Sequence, residues 1–169
     1  NNSKDIRNDD RRIDINNIFS FNRLGRADTI ENGQSITLGG KYEKKDKKNN
    51  DFLSLNLATV FRDKINENLP IKSSIGRKTS DIVGNFNLVP NKYLNLDYNF
   101  SVDNNLDRSN YDSIKTNINI NNFATSFEYL EENNFIGNES YISNETSYSF
   151  NNQKKLKFST RKNKKTDLT

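Results

Sequence analysis

Hydrophobic and polar residues alternate with a period of two along much of this chain. In residues 93–103 (YLNLDYNFSVD), Leu94, Leu96 and Phe100 lie on one side of an extended chain, whereas asparagine, aspartate and serine lie on the other. This alternation predicts a β-strand with one apolar and one polar face. The same pattern predicts seven more strands, at 34–43, 52–61, 81–89, 113–120, 123–131, 141–150 and 155–161. No segment keeps a helical period over three turns, so the sequence predicts an all-β fold.

The connections between the predicted strands alternate between short and long. Tight bends with Pro or Asn occur at 89–93, 119–123 and 151–155, and by parity 44–51 is a turn at the same end. Longer polar stretches occupy 62–80, 104–112 and 132–140. Short turns at one end and long loops at the other are typical of transmembrane β-barrels. The pattern therefore predicts an antiparallel, up-and-down transmembrane β-barrel with about eight strands in this chain.

The composition is unusually polar for a folded domain. Only 31% of the 169 residues are hydrophobic, whereas ordinary globular domains are about 45–50% apolar. Composition alone would suggest disorder, but disordered chains do not alternate regularly. A barrel with a wet interior resolves the conflict, because half of every strand is then expected to be polar.

Charge and residue types exclude several function classes. The 26 basic and 22 acidic residues are interspersed and give a net charge of +4, unlike the concentrated basic stripe of a nucleic-acid-binding protein. Cysteine and histidine are both absent from the sequence. With no nucleophile and base in a recognisable arrangement, the sequence predicts no catalytic residue, no cofactor and no metal site.

Alternation alone leaves other architectures open. A soluble β-sandwich also has two-faced strands, with the apolar faces buried against each other. A passive porin or receptor barrel for small solutes, and an Asn-rich, partly disordered surface protein, are further alternatives. The loop lengths favour a membrane barrel, as do aromatic residues near the predicted strand ends, where interfacial girdles form.

Two stretches carry motifs beyond the strand pattern. Before the first predicted strand, the motif comprises Asn22, Arg23, Gly25, Asp28, Ile30, Glu31 and Gly33. Later, a strand that ends at Phe61 is followed by a polar loop and then by Ser80, Asp81, Val83 and Gly84. In order and spacing, residues 17–162 resemble the C-terminal barrel of the lipopolysaccharide-assembly outer-membrane proteins, the LptD family.

The resemblance implies a domain organisation and a non-enzymatic role. Residues 1–169 would be a partial outer-membrane barrel domain, with a loop region at 1–33, successive hairpins at 34–162, and neither the family's N-terminal jellyroll nor its closing strand. The family barrel receives lipopolysaccharide from a periplasmic bridge protein, which contacts the absent N-terminal domain. It releases lipopolysaccharide into the outer leaflet of the Gram-negative outer membrane, and a plug lipoprotein occupies its interior.

Three groups of residues are the candidate sites. The expected lipid-facing side chains are Leu53, Leu55, Leu57, Leu94, Leu96, Tyr98, Phe100 and Ile118. The expected contacts to lipopolysaccharide phosphates, at the extracellular end, are Arg161, Lys162, Lys164 and Lys165. The third group is a structural loop formed by the motif residues Asn22, Arg23, Gly25, Asp28, Glu31 and Gly33. In that loop, Arg23 or Arg26 is expected to pair with Asp28 or Glu31.

Overall fold

The described part of the chain forms eight β-strands and almost no helix. A computed structural model describes residues 11–25, 31–70, 73–133 and 139–164. The strands are β1 (Ser35–Lys45), β2 (Asp51–Arg62), β3 (Ile82–Asn91), β4 (Leu94–Val102), β5 (Ser109–Ile120), β6 (Phe123–Glu132), β7 (Ser140–Ser149) and β8 (Lys155–Asn163). The one helical element in these ranges is a 3-10 turn at Ser74–Gly76. Across the described part of the chain, no helix has the length and hydrophobicity needed to cross a membrane.

The strands form one antiparallel sheet in sequence order, from β1 to β8. Each strand pairs with its neighbours in the chain, and β1 and β8 are the two edges. The predicted all-β, up-and-down architecture is confirmed, and all eight predicted strands are present. Seven of them have bounds within two residues of the prediction, because the period-two pattern marks a strand directly.

The fifth strand begins earlier than predicted. The sequence placed residues 104–112 in a loop, but β5 starts at Ser109, so this prediction is wrong. A register shift beside Ser101 lets Ser109 and Tyr111 continue the pairing with β4. The actual connection, 103–108, is closed by the Asp103 side chain, which accepts a hydrogen bond from the Asn105 amide at 2.9 Å.

The connections lie at two ends of the sheet. The hairpin end contains the turns at 46–50, 92–93, 121–122 and 150–154. The loop end contains 63–81, 103–108 and 133–139. The alternation of short and long is less regular than predicted, since 103–108 is only slightly longer than the turns at 46–50 and 150–154.

The strand registers assign every side chain to one of two faces. Residues directly opposite each other in an antiparallel pair lie on the same face. Leu55 is opposite Tyr42 and Phe86, and this face, here called the apolar face, continues through Tyr98, Ile114 and further partners to β8. The other face is here called the polar face and carries mainly Asn, Asp, Ser, Lys and Glu.

No second layer covers the apolar face within the described residues. Leu57, Phe127 and Phe158 are 36%, 49% and 63% exposed. A soluble β-sandwich would bury these side chains against another sheet, so the sandwich alternative does not describe this fold.

The buried hydrophobic cluster lies instead on the polar face, near the loop end. Ala58 and Val60 of β2 and Val83 of β3 form its floor. Segments outside the strands cover them, with side chains from residues 11–25 and from the 63–81 connection: Ile13, Ile18, Leu24, Leu69 and Ile75. The small core therefore attaches loops to the sheet and does not join two sheets.

Candidate functional site

The apolar face is the largest candidate surface. All eight side chains predicted to face lipid lie on it: Leu53, Leu55, Leu57, Leu94, Leu96, Tyr98, Phe100 and Ile118. Many are half-buried because their neighbours along the sheet shield them. The rings of Tyr98 and Phe100, for example, lie 5.1 Å apart. Neighbouring apolar side chains on this face therefore contact one another.

Several polar groups on the apolar face are hydrogen-bonded to neighbouring groups. Asn144, the exception in the predicted β7 pattern, donates to Thr125 Oγ1 at 3.0 Å and to the Ser126 carbonyl at 3.1 Å. Thr146 donates to Asn144 Oδ1 at 3.0 Å. Nearer the loop end, the Tyr98 hydroxyl donates to Asp112 at 2.6 Å. Internal pairing lowers the cost of placing these groups in an apolar environment.

A glycine on the apolar face makes room for an aromatic ring. Gly84 is opposite Phe100 on β4 and Leu57 on β2. A Cβ atom at Gly84 would collide with the Phe100 ring and would lie 2.8 Å from the Asn56 carbonyl oxygen. Gly84 therefore lets three strands pack closely at this point.

Residues 11–25, here called the N-terminal segment, cross the polar face. At one end, the Arg12 guanidinium lies 3.4 Å from the centre of the Tyr111 ring and 3.0 Å from Glu132 on β6. At the other end, Phe19 covers Gly39 of β1, and a Cβ atom at Gly39 would lie 2.5 Å from its ring. The segment therefore connects β5 and β6 with β1 across the polar face of the sheet.

Glu31 lies between two arginines where this segment meets the sheet. Arg23 donates from Nε and Nη2 to the two Glu31 oxygens, at 2.9 and 2.6 Å, and Arg62 contacts the same carboxylate. The three side chains are less than a tenth exposed. Arg62 Nε also donates to the Ile75 carbonyl at 2.5 Å. Burial lowers the pKa of Arg23 from its ordinary value, and the facing carboxylate of Glu31 neutralises part of the buried positive charge.

Arg23 and Glu31 belong to the family motif before β1, and the two glycines of that motif have backbone conformations that favour glycine. Gly25 and Gly33 have φ angles of +62° and +96°, which side chains disfavour. The Gly25 amide donates to the Asn22 side chain at 3.0 Å and closes a turn. Of the other motif residues, Asp28 lies outside the described residues, as does Arg26.

A second buried polar cluster fixes the long connection before β3. Asp81 is 2% exposed, and its Oδ2 accepts hydrogen bonds from Asn110 at 2.8 Å and Ser101 at 3.3 Å. Ser80 Oγ accepts from the Val60 amide at 2.9 Å. These contacts hold the 63–81 connection over the polar face and join β2, β4 and β5 at the loop end.

Amide side chains form a hydrogen-bonded cluster in the middle of the polar face. Asn85 donates to Asp97 at 3.1 Å and to Asn99 at 3.0 Å, and Asn99 donates to Asp97 at 2.6 Å. A cavity of about 770 Å³ lies between this cluster and the N-terminal segment, beside Phe19. The middle of the polar face therefore carries an open cavity lined mainly by amide and carboxylate side chains.

Comparison with known families decides the assignment. The family model for LptD, described as LPS transport system D, matches residues 2–163. The chain belongs to the LptD family. No curated protein and no solved structure matches it significantly. LptD proteins are outer-membrane β-barrel components of lipopolysaccharide transport, and the amphipathic sheet is the fold that this family requires.

The basic residues near the end of β8 separate onto both faces of this LptD sheet. Arg161 is opposite Ser143 on the polar face, with its guanidinium 3.9 Å from the centre of the Tyr141 ring. Lys162 is opposite Ile142 on the apolar face, and Lys164 Nζ lies 4.7 Å from the centre of the Tyr129 ring. Lys165 lies outside the described residues. Lys162 and Lys164 therefore lie with the apolar face, whereas Arg161 lies with the polar face.

Several residues that organise the site were missed by sequence reasoning. Ala58 and Val60 are apolar residues on the polar face, and Asn110 and Tyr111 were assigned to a loop. The signal in the sequence was the stretch Leu57–Val60, which is apolar or small on both faces just before a strand end. In this chain, that stretch lies where the 63–81 connection folds back onto the polar face.

Proposed function

We propose that this chain forms part of the wall of the outer-membrane translocon that inserts lipopolysaccharide into the outer leaflet of a Gram-negative bacterium. The role is non-enzymatic. The observation that carries the proposal is the predominantly apolar face that runs across eight consecutive strands of an LptD sheet. A soluble protein would cover such a face, whereas a transmembrane barrel exposes it to lipid.

The dimensions of the strands support a membrane location. The shortest strands, β4 and β8, have nine residues. At about 3.3 Å per residue and a tilt of about 40°, nine residues span about 23 Å, close to the apolar height of outer-membrane barrels. Short turns are periplasmic in such barrels, so the hairpin end faces the periplasm and the loop end faces the outside.

The polar face then lines the interior of the barrel. Its Asn and Asp side chains suit water and polar partners, and the N-terminal segment narrows the interior near the loop end. We assign this face to contacts with a plug lipoprotein, and we assign delivery of lipopolysaccharide from the periplasm to a bridge protein that acts through another part of the translocon. Lys162 and Lys164 would contact lipopolysaccharide phosphates at the loop end.

The proposal is tested by depleting the protein in the bacterium that carries it. Newly made lipopolysaccharide should fail to reach the cell surface, as measured by a surface-restricted lipopolysaccharide-modifying enzyme, and re-expression of the wild-type protein should restore it. The rival function, a passive porin, has a different readout. If depletion slowed small-solute uptake and left surface lipopolysaccharide unchanged, the translocon assignment would be wrong.

A further inference from the structure

Positive charge is concentrated at the hairpin end. Residues 44–51, 91–94, 119–123 and 149–155 contain seven lysines and two aspartates, a net charge of +5, whereas the whole chain carries +4. The lysines, here called the lysine rim, are Lys44, Lys45, Lys47, Lys48, Lys92, Lys154 and Lys155. Three of the four turns contribute lysines, so the charge follows the edge of the sheet.

Aromatic side chains lie beside all four turns of the hairpin end, three of which carry the lysines of the rim. They are Tyr42, Phe52, Tyr93, Phe123, Tyr148 and Phe150. Lys44 Nζ lies 5.4 Å from the centre of the Phe52 ring, and Lys92 Nζ lies 4.9 Å from that of Tyr93. Aromatic girdles lie at the level of the lipid headgroups. Two of the ammonium groups are therefore held at headgroup height.

The lysines of the rim are not neutralised by ion pairs within the described residues. In the described part of the chain, none of its seven lysines forms an ion pair; the lysines that do are Lys41 with Glu43 and Lys157 with Glu145. Asp46 bonds within its own turn, to the Lys48 amide at 2.7 Å and the Asn50 amide at 2.9 Å. The hydrogen bond from the Asn50 side chain holds the pKa of Asp46 below its ordinary value. The positive charge is thus available to an external anion.

We propose that the lysine rim binds the headgroup phosphates of anionic phospholipids in the periplasmic leaflet of the outer membrane. The inference rests on the proposed function for the membrane location and the orientation of the sheet. Lysine beside an anionic membrane surface attracts its lipids, and the neighbouring rings insert among the headgroups. The contact fixes the depth of the hairpin end in its leaflet and is separate from the lipopolysaccharide contacts at the loop end.

The test measures lipid preference of the complete protein purified in detergent. Binding of phosphatidylglycerol and of phosphatidylethanolamine is compared by native mass spectrometry. We expect the wild type to prefer phosphatidylglycerol. The double variant Lys44→Gln with Lys92→Gln should lower that preference by about thirtyfold, because each lysine near an anionic surface contributes about one kcal/mol. A second variant, Lys47→Gln with Lys48→Gln, should lower it in the same direction.

The matched control is Lys64→Gln with Lys78→Gln, which removes two exposed lysines from the loop end. It should keep the wild-type preference. An equal loss in the control, or no preference in the wild type, would overturn the inference. The lipid-binding measurement does not depend on lipopolysaccharide delivery. Failure of this inference would appear in lipid binding, whereas failure of the translocon function would appear in surface lipopolysaccharide after depletion.

Discussion

Glu31 and Arg62 contact each other, side chain to side chain, where almost no solvent reaches them. Their side chains are 6% and 1% exposed, and Arg23 adds two hydrogen bonds to the same carboxylate. Glu31 precedes β1, Arg62 ends β2, and Arg23 belongs to the N-terminal segment. One carboxylate therefore fastens that segment to the first hairpin.

Replacing Glu31 with Gln is expected to destabilise the folded protein by about 3–5 kcal/mol, because it leaves two buried guanidinium groups without their counter-charge. The measurement is the free energy of unfolding in denaturant, with the complete protein held in detergent.

The control for this substitution is Glu43→Gln. Glu43 also pairs with a basic residue, Lys41 at 2.7 Å, but both side chains are more than half exposed, and such pairs contribute about 0–1 kcal/mol. Similar losses for Glu31→Gln and Glu43→Gln would show that the buried cluster does not hold the N-terminal segment in place.

Gly84→Ala is expected to cost about 1–3 kcal/mol through overpacking. The added methyl group would collide with the Phe100 ring and would approach Leu57 Cδ2 to 2.9 Å. The unfolding free energy of the purified protein reports the loss, and the additional change Phe100→Leu should recover part of it by removing the ring.

Gly40→Ala provides the comparison, since Gly40 lies on the same apolar face and a Cβ atom there meets nothing within 4 Å. Its unfolding free energy should stay within about 0.5 kcal/mol of the wild type, as for most surface changes. A large loss at Gly40 would mean that glycine flexibility, and not close packing, explains both positions.

The strands could be predicted from the sequence because the alternation within each strand is a local signal that does not depend on its partners. A period of two assigns Leu94 and Leu96 to one face without knowledge of their partners. The structure then adds the registers, which join eight separate alternations into one apolar face. The sequence also predicted that Arg23 or Arg26 pairs with Asp28 or Glu31, and the structure shows the pair between Arg23 and Glu31.

The loop end could not be predicted in the same way, because its contacts are long-range. The local sequence around Asn110 predicts a loop, but Asn110 belongs to β5. Its side chain donates a hydrogen bond to buried Asp81, which lies 29 positions earlier in the chain. Nor does a local pattern reveal that Phe19 covers Gly39 or that Arg12 reaches Tyr111. Such pairings depend on the curvature of the sheet and on the path of a segment without regular structure.

Arginine at position 57 should test which face meets lipid. Leu57 and Asn56 are adjacent near the middle of β2 and lie on opposite faces. Leu57→Arg is expected to cost about 2–4 kcal/mol, the penalty for a cation facing lipid near the membrane midplane, whereas Asn56→Arg faces the hydrated interior and should cost much less. Unfolding of the complete protein in lipid bilayers measures both, and equal penalties would contradict the assigned facing.

The basic residues near the end of β8 allow a similar comparison for lipopolysaccharide. Lys162 and Lys164 lie with the apolar face, while Arg161 lies on the polar face over Tyr141. Lys162→Gln with Lys164→Gln should weaken lipopolysaccharide binding by the purified complete protein several-fold, because two phosphate partners are lost at headgroup level. Arg161→Gln should change binding little, since its guanidinium points to the interior. A larger loss for Arg161→Gln than for the double variant would place the lipopolysaccharide phosphates inside the barrel and would reverse the assignment of these side chains.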